Sequence, residues 1–271
     1  MQVLSLGAGV QSTTMLLMAA HSEFDSKPDF AVFADTGWEP AGVMYHFFWL
    51  KAKVKKMGIP VHIATRGDIR EDLLRASKEQ SRSVNMPFFV KGSDGRASII
   101  RRQCTEEYKI NVVNNKIREL LGYQKGERMK HQITKWMGIS TDEFQRMKPG
   151  RHKWETMYYP LIEKNMSRGD CLLWMNENGY PRPPKSSCIG CPFHNDKMWL
   201  DMQESDPESF RQAVEFEREI QKNGLRQLNN VPFLHRSLIP LDQIDFKARL
   251  EGKQMDLIND FINECEGMCG V

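Results

Sequence analysis

The sequence lacks any uninterrupted apolar stretch near the roughly 18–20 residues that a membrane-spanning helix needs, which argues against a helical membrane protein. It also lacks a strong charge of either sign: 38 Lys and Arg against 35 Asp and Glu leave a formal charge of +3. That balance permits an anionic small ligand or nucleic acid and demands neither. No internal repeat or low-complexity tract is present, so the chain is not a solenoid or a linker. The opening residues, MQVLSLGAGVQS, carry no basic n-region and no apolar h-region, and the expectation is a cytoplasmic protein with no membrane partner. Cysteine is sparse, six in 271 residues, and in a reducing compartment these read as ligands, catalysts or core residues rather than disulfides. Neither GxxxxGK(S/T) nor GxGxxG occurs, so the two commonest phosphate-loop signatures are absent.

What is present is an alternation of short apolar runs and helical spacing. Residues 2–6 (QVLSL) predict a strand, followed by a glycine-containing turn and a helix over 11–21. Residues 30–34 predict a second strand, 42–57 a helix with Val43, Phe47, Leu50 and Val54 on one face, and 60–65 a third strand. Further on, 104–121 reads as helix, 133–140 as strand, 170–178 as helix, and 195–222 and 241–264 as two more helices. The segment 80–100 has no clear period and reads as a lid or substrate loop. The expected fold class is α/β: a parallel, Rossmann-like sheet with helices on both faces, plus a smaller cysteine-bearing helical C-terminal part. The expected division is 1–165 for nucleotide binding and 166–271 for the helical segment with its CxxC and cysteine-containing tail.

In such sheets ligands bind at the carboxyl ends of the strands. Two turns fall there. In the first, Ser5, Gly7, Gly9, Gln11, Ser12 and Thr13 offer close backbone approach, a helix N-terminus and hydroxyl donors, a suitable place for phosphate or sulfate. In the second, Asp35, Thr36 and Gly37 offer a carboxylate for ribose hydroxyls or an adenine amino group; an Asx-turn ending a strand is the plain alternative. One shared nucleotide accounts for both turns better than two coincidences do.

The pattern S-x-G-x-x-x-Q-S followed by ADTGWEP resembles the PP-loop superfamily, which includes ATP pyrophosphatases and the phosphoadenosine-phosphosulfate (PAPS) reductase family. Arg102-Gln103-Cys104-Thr105-Glu106-Glu107-Tyr108-Lys109 resembles the reductases' Cys-Cys-x-x-Arg-Lys segment. Gly138-Ile139-Ser140 with Glu143 and Arg146 is similar to their G-x-R-x-x-(Q/E)-S-x-x-R segment. Tyr159-Pro160-Leu161 and Cys188-Ile189-Gly190-Cys191 look like their Pro-Leu stretch and late CxxC. Ala8, Val10 and Gln11 depart from an SGGxDS loop, which favours the reductases over magnesium–pyrophosphate chemistry. The resemblance covers roughly residues 2–195 and implies ATP or a sulfonucleotide (adenylyl sulfate or PAPS) as ligand, with Arg102, Lys109, Gly138 and Arg146 joining the two turns in binding it. It also implies a thiol reductant such as thioredoxin as partner.

Cys188 and Cys191, with Cys104 upstream, match the order seen in cluster-bearing reductases and imply a 4Fe–4S cluster with one open iron, or four ligands if Cys171 joins them. Thr105 stands where those reductases carry a second adjacent cysteine. Zinc held by Cys171, Cys188, Cys191 and His194 is the alternative metal, and buried cysteines without metal the third reading. The tail, Glu264-Cys265-Glu266-Gly267-Met268-Cys269-Gly270, resembles the reductases' C-terminal Glu-Cys-Gly, whose cysteine attacks the sulfonucleotide sulfur; Cys269 or Cys265 is the counterpart. Three functions follow: a sulfonucleotide reductase-like enzyme, a PP-loop enzyme that adenylates and thiolates a nucleobase or nucleic acid, and a zinc-stabilised nucleotide-binding partner without catalysis.

Overall fold

The structure is a computed structural model and describes residues 1–251. The chain opens with β1 (Gln2–Leu6), α1 (Val10–Ala20), β2 (Phe30–Asp35), α2 (Ala41–Lys55), β3 (Val61–Thr65) and α3 (Ile69–Glu79). The segment read as a lid forms a short antiparallel pair, β4 (Phe89–Lys91) and β5 (Ala97–Ile99). A π-helical turn (Glu106–Ile110) runs directly into α4 (Asn111–Leu120). Then come β6 (Ile133–Met137), a 3-10 segment (Thr141–Arg146), β7 (Glu155–Tyr158), the single turn α5 (Pro160–Glu163) and α6 (Arg168–Glu177). The helices α7 (Asp196–Ser205), α8 (Pro207–Asn223) and α9 (Phe246–Glu251) close the described chain.

The main sheet has the order β3-β2-β1-β6-β7 and every pairing in it is parallel. Parallel strands need covering on both faces, and the alternation along the strands supplies it. Leu4, Leu6, Ala31, Phe33 and Trp136 point into one core with α1, α2 and α6. Val3, Val32, Ala34 and Ile133 point into another with Val112, Val113 and Ile117 of α4. This is the expected α/β architecture with helices on both faces. A third cluster joins Trp38, Ile69, Leu73 and Tyr108 to Ile189, Trp199, Phe210 and Phe216, so residues on both sides of position 165 share one core. Among the described residues no helix is long and apolar enough to cross a membrane.

Several boundaries differ from the sequence reading for local reasons. The helix expected over 195–222 is two helices, because Pro207 takes the first position of α8 and Asp206 caps it by accepting from Ser209 N. α3 is an added element; Asp68 caps it, accepting from Arg70 N and Glu71 N, and Gln80 ends it at φ 50°. The helix expected over 241–264 begins as a 3-10 turn (Leu241–Gln243) followed by α9, and its remainder lies outside the described residues.

Candidate functional site

The strand order reverses at β1: the chain builds β2 and β3 on one side, then returns to place β6 and β7 on the other. A crevice therefore opens between the carboxyl ends of β1 and β6. The β1–α1 turn sits in it. Ser12 Oγ closes the turn by accepting from Gly7 N (3.3 Å) and donating to Gly9 O (3.4 Å). Ala8 takes the left-handed region at φ 55°, a strained choice for a residue with a Cβ. Gly9 is the N-cap of α1 and has no side chain to cap the first-turn amides, which leaves that end of the helix suited to an anion. Behind the turn, Thr13 Oγ1 meets His46 Nε2 at 3.1 Å, and burial pulls the His46 imidazole down to about 4.

The β6 end closes on this turn from the far side. A Cβ on Gly138 would lie 2.9 Å from both the N and Cα of Ser12, so only glycine lets the two backbones meet here. Gln11 links the two loops: its Nε2 donates to Glu143 Oε2 (3.1 Å) and Ser140 Oγ (3.4 Å), and its Oε1 accepts from Arg168 (3.4 Å). Arg146 pairs with Glu143 at 2.6 Å. Gln11, Gly138, Ser140, Glu143, Arg146 and Arg168 thus form one network, where the sequence had given only separate motifs.

At the β2 end, Asp35 Oδ1 accepts from Gly37 N at 2.8 Å, so Asp35 does build the Asx-turn. Gly37, at φ 77°, has Asp68 Cα 2.6 Å from where a Cβ would stand. Thr36 Oγ1 donates to Glu39 Oε1 (2.8 Å) and lies 3.2 Å from Cys188 Sγ, which itself reaches Glu39 Oε1 at 3.7 Å. The turn of Cys188–Cys191 is wedged against Trp38: Ile189 N donates to Trp38 O, and a Cβ on Gly190 would stand 2.2 Å from the indole ring. Between these loops lies a cleft, about 370 Å³ with its open mouth included, whose wall includes Ser5, Gly7, Ala34, Glu39, Lys109 and Ser186. Glu39 belongs to the ADTGWEP motif, whereas Ser186 carries no motif of its own and only the fold brings it to the cleft.

The cysteines divide. Cys104, Cys171, Cys188 and Cys191 form no disulfide. Cys171 lies in the core against α1, and burial pushes its thiol up to about 12. Cys104 packs on the aromatic core that holds Ile189. His194 is buried, with Nε2 2.7 Å from Ser187 Oγ and Nδ1 lacking a hydrogen-bond partner. Among the described residues no three His, Cys, Asp or Glu side chains group closely enough to hold a metal ion. This arrangement does not fit the expected four-ligand zinc site, and Cys171, sunk in the core, is no fourth ligand beside Cys188 and Cys191. Arg102 stacks over Phe193 at 5.3 Å and has a buried Nη1 without a hydrogen-bond partner, which leaves a donor for an anion beside Cys104. Cys265 and Cys269 lie outside the described residues.

No family model and no curated protein matches the chain. Among solved structures it is similar to the phosphate complex of phosphoadenylyl-sulfate (PAPS) reductase from Candida auris. The two share 15% identity at a TM-score of 0.43, over 67% of this chain and 74% of that one.

Proposed function

We propose that the chain binds an adenine nucleotide in the β1–β6 crevice and carries out thiol chemistry on its sulfur, as a sulfonucleotide reductase-like enzyme. The observation that carries this reading is the contact of Gly138 with the Ser12 backbone at the point where the strand order reverses. It turns two glycine-containing loops into one anion cradle, with Gly7, Gly9 and Ser12 on one side and the Gln11–Arg146–Arg168 network on the other; Thr13, fully buried with its N bonded to Gly9 O and its hydroxyl to His46, stands behind the cradle. Lys109 and Arg102 add positive charge, and the cleft between Ala34 and Lys109 receives the base and ribose.

In this reading the nucleophile is Cys269 or Cys265. Its thiolate attacks the sulfur of a bound adenylyl sulfate, the S–O bond to the nucleotide breaks, and the nucleotide phosphate leaves with the electron pair. The resulting S-sulfocysteine is reduced by a dithiol partner such as thioredoxin, which releases sulfite and becomes a disulfide. No step passes through an iron–sulfur cluster or zinc.

Calorimetry with ATP, AMP, adenylyl sulfate and PAPS tests the reading. At least one should bind, and Gly9→Val, whose first added carbon stands 3.2 Å from Ser186 Oγ, should weaken it at least about tenfold. Binding of none of the four refutes the nucleotide site. Truncation after Phe261 should abolish sulfite release and spare nucleotide affinity; full activity in the truncated protein refutes the tail thiols.

A further inference from the structure

On the α4 side of the sheet, the strands are unequally covered. The alternation that sends Val3 and Ile133 toward α4 puts Ser5, Lys135 and Met137 on the same face, and the register aligns Lys135 with Met157. Helix α4 itself packs over β2 and β3. Over β6 and β7 the loop before β7 folds back instead, held by Glu155, whose Oε1 accepts from Arg151 N and His152 N. The result is a cavity of about 530 Å³, mouth included. It shares Ser5, Ile110 and Val113 with the first cleft, so the two hollows lie side by side along α4.

We infer that this cavity is a second nucleotide site, taking a nucleobase in its slot and the attached phosphate at Lys148 and Arg151. It rests on the adenine-nucleotide reading only in that the second nucleotide lies beside the first. Its walls suit a flat ring: Met137 and Met157 on the strands share it with Ile110, at the end of the π-helical turn, and Val113 on α4, and thioethers contact aromatic rings favourably. The floor is polar. Lys135, buried, reaches both Glu155 and Asn114 Oδ1, and Asn114, only 5% exposed, keeps an Nδ2 with no hydrogen-bond partner. A buried amide donor of this kind is matched by a ring nitrogen or carbonyl. Lys135 and Glu155 cancel each other's charge, so the slot selects a neutral ring. At the mouth, Lys148 and Arg151 select an anion; the pair between Arg151 and Glu106 (3.3 Å) is half-exposed, and such pairs yield readily to phosphate.

Free nucleotides and a nucleic-acid strand present the same base and phosphate, and titration separates them. The full-length chain, saturated with a non-hydrolysable ATP analogue, is titrated with each of the four nucleoside 5′-monophosphates and with a single-stranded hexanucleotide. One further equivalent of at least one titrant should bind, and the tighter class identifies the source. Met157→Trp, which fills the slot, and Arg151→Glu, which reverses the mouth charge at the surface, should each weaken that event at least about tenfold while leaving the ATP analogue within about twofold. Absence of any second binding event overturns the proposal. So does equal loss of ATP-analogue affinity in both variants, which would mean one ligand spanning both hollows. If the analogue does not bind yet a monophosphate does and responds to both variants, the first-cleft reading fails and this site stands.

Discussion

The two walls of the first cleft are built on different physics. The wall at the β1–α1 turn is polar: Gln11 spans Ser140, Glu143 and Arg168, and Thr13 leans on His46. The wall that carries Cys188 is aromatic, a turn pressed into Trp38, which in turn packs on Phe216 at 4.8 Å. A polar wall is tuned by protonation and by the exact reach of backbone groups. An aromatic wall is tuned by volume, since a packed interior tolerates little added bulk. The anion cradle should therefore break with pH and with small backbone intrusions, and the thiol turn with added carbon atoms.

The largest expected effect is the acid sensitivity of the polar wall. His46 titrates at 6.5 when unfolded and near 4 when folded, lowered by burial. On acidification the unfolded chain takes up this proton first, so the contribution is fully present above 6.5 and is lost as pH falls toward 4. The loss amounts to at most about 3 kcal/mol. Urea denaturation of the wild type and His46→Gln across that window should show the wild type losing its excess pH dependence on substitution; identical slopes would show that His46 is not buried neutral.

Next is Gly190→Val, which drives a side chain into the Trp38 ring and should cost about 2–3 kcal/mol, read as a fall in the urea midpoint without a pH component. A wild-type midpoint would mean that the aromatic wall is loose. Smaller again is Gly138→Ala, whose Cβ meets the Ser12 backbone at 2.9 Å. It should weaken nucleotide binding about tenfold, or about 1.4 kcal/mol, and calorimetry would show it; unchanged affinity would mean that the turn holds no ligand.

The same contrast explains what could be read in advance. The strands expected at 2–6 and 30–34 match Gln2–Leu6 and Phe30–Asp35 closely, because short apolar runs bounded by glycine or polar turns are a local signal. Gln11 and Gly138 were visible as motif members, but their meeting was not, since it depends on a strand crossing to the far side of β1. β7 was hidden because Glu155-Thr156-Met157-Tyr158 has too little apolar patterning to announce a strand; its Glu155 is buried only through Lys135. The cysteine order suggested a metal, yet order along a chain fixes no distances, and Cys171 ends in the core against α1.

The smallest effect probes the place where the two walls meet. Glu39 belongs to the β2 turn, accepts from Thr36 Oγ1 at 2.8 Å and stands 3.7 Å from Cys188 Sγ. A carboxylate beside a thiol opposes its ionisation, because the thiolate would face a like charge. Glu39→Gln removes that charge while keeping the carbonyl that Thr36 needs. Alkylation of Cys188 by iodoacetamide at pH 8, followed by peptide mass spectrometry, should then accelerate about threefold, less than the tenfold of a full pKa unit because Cys188 is nearly buried and access limits the rate. A slower or unchanged rate would mean that Glu39 does not govern the thiol. The aromatic wall would then control Cys188 by burial alone, and the polar character of the cleft would end at Thr36.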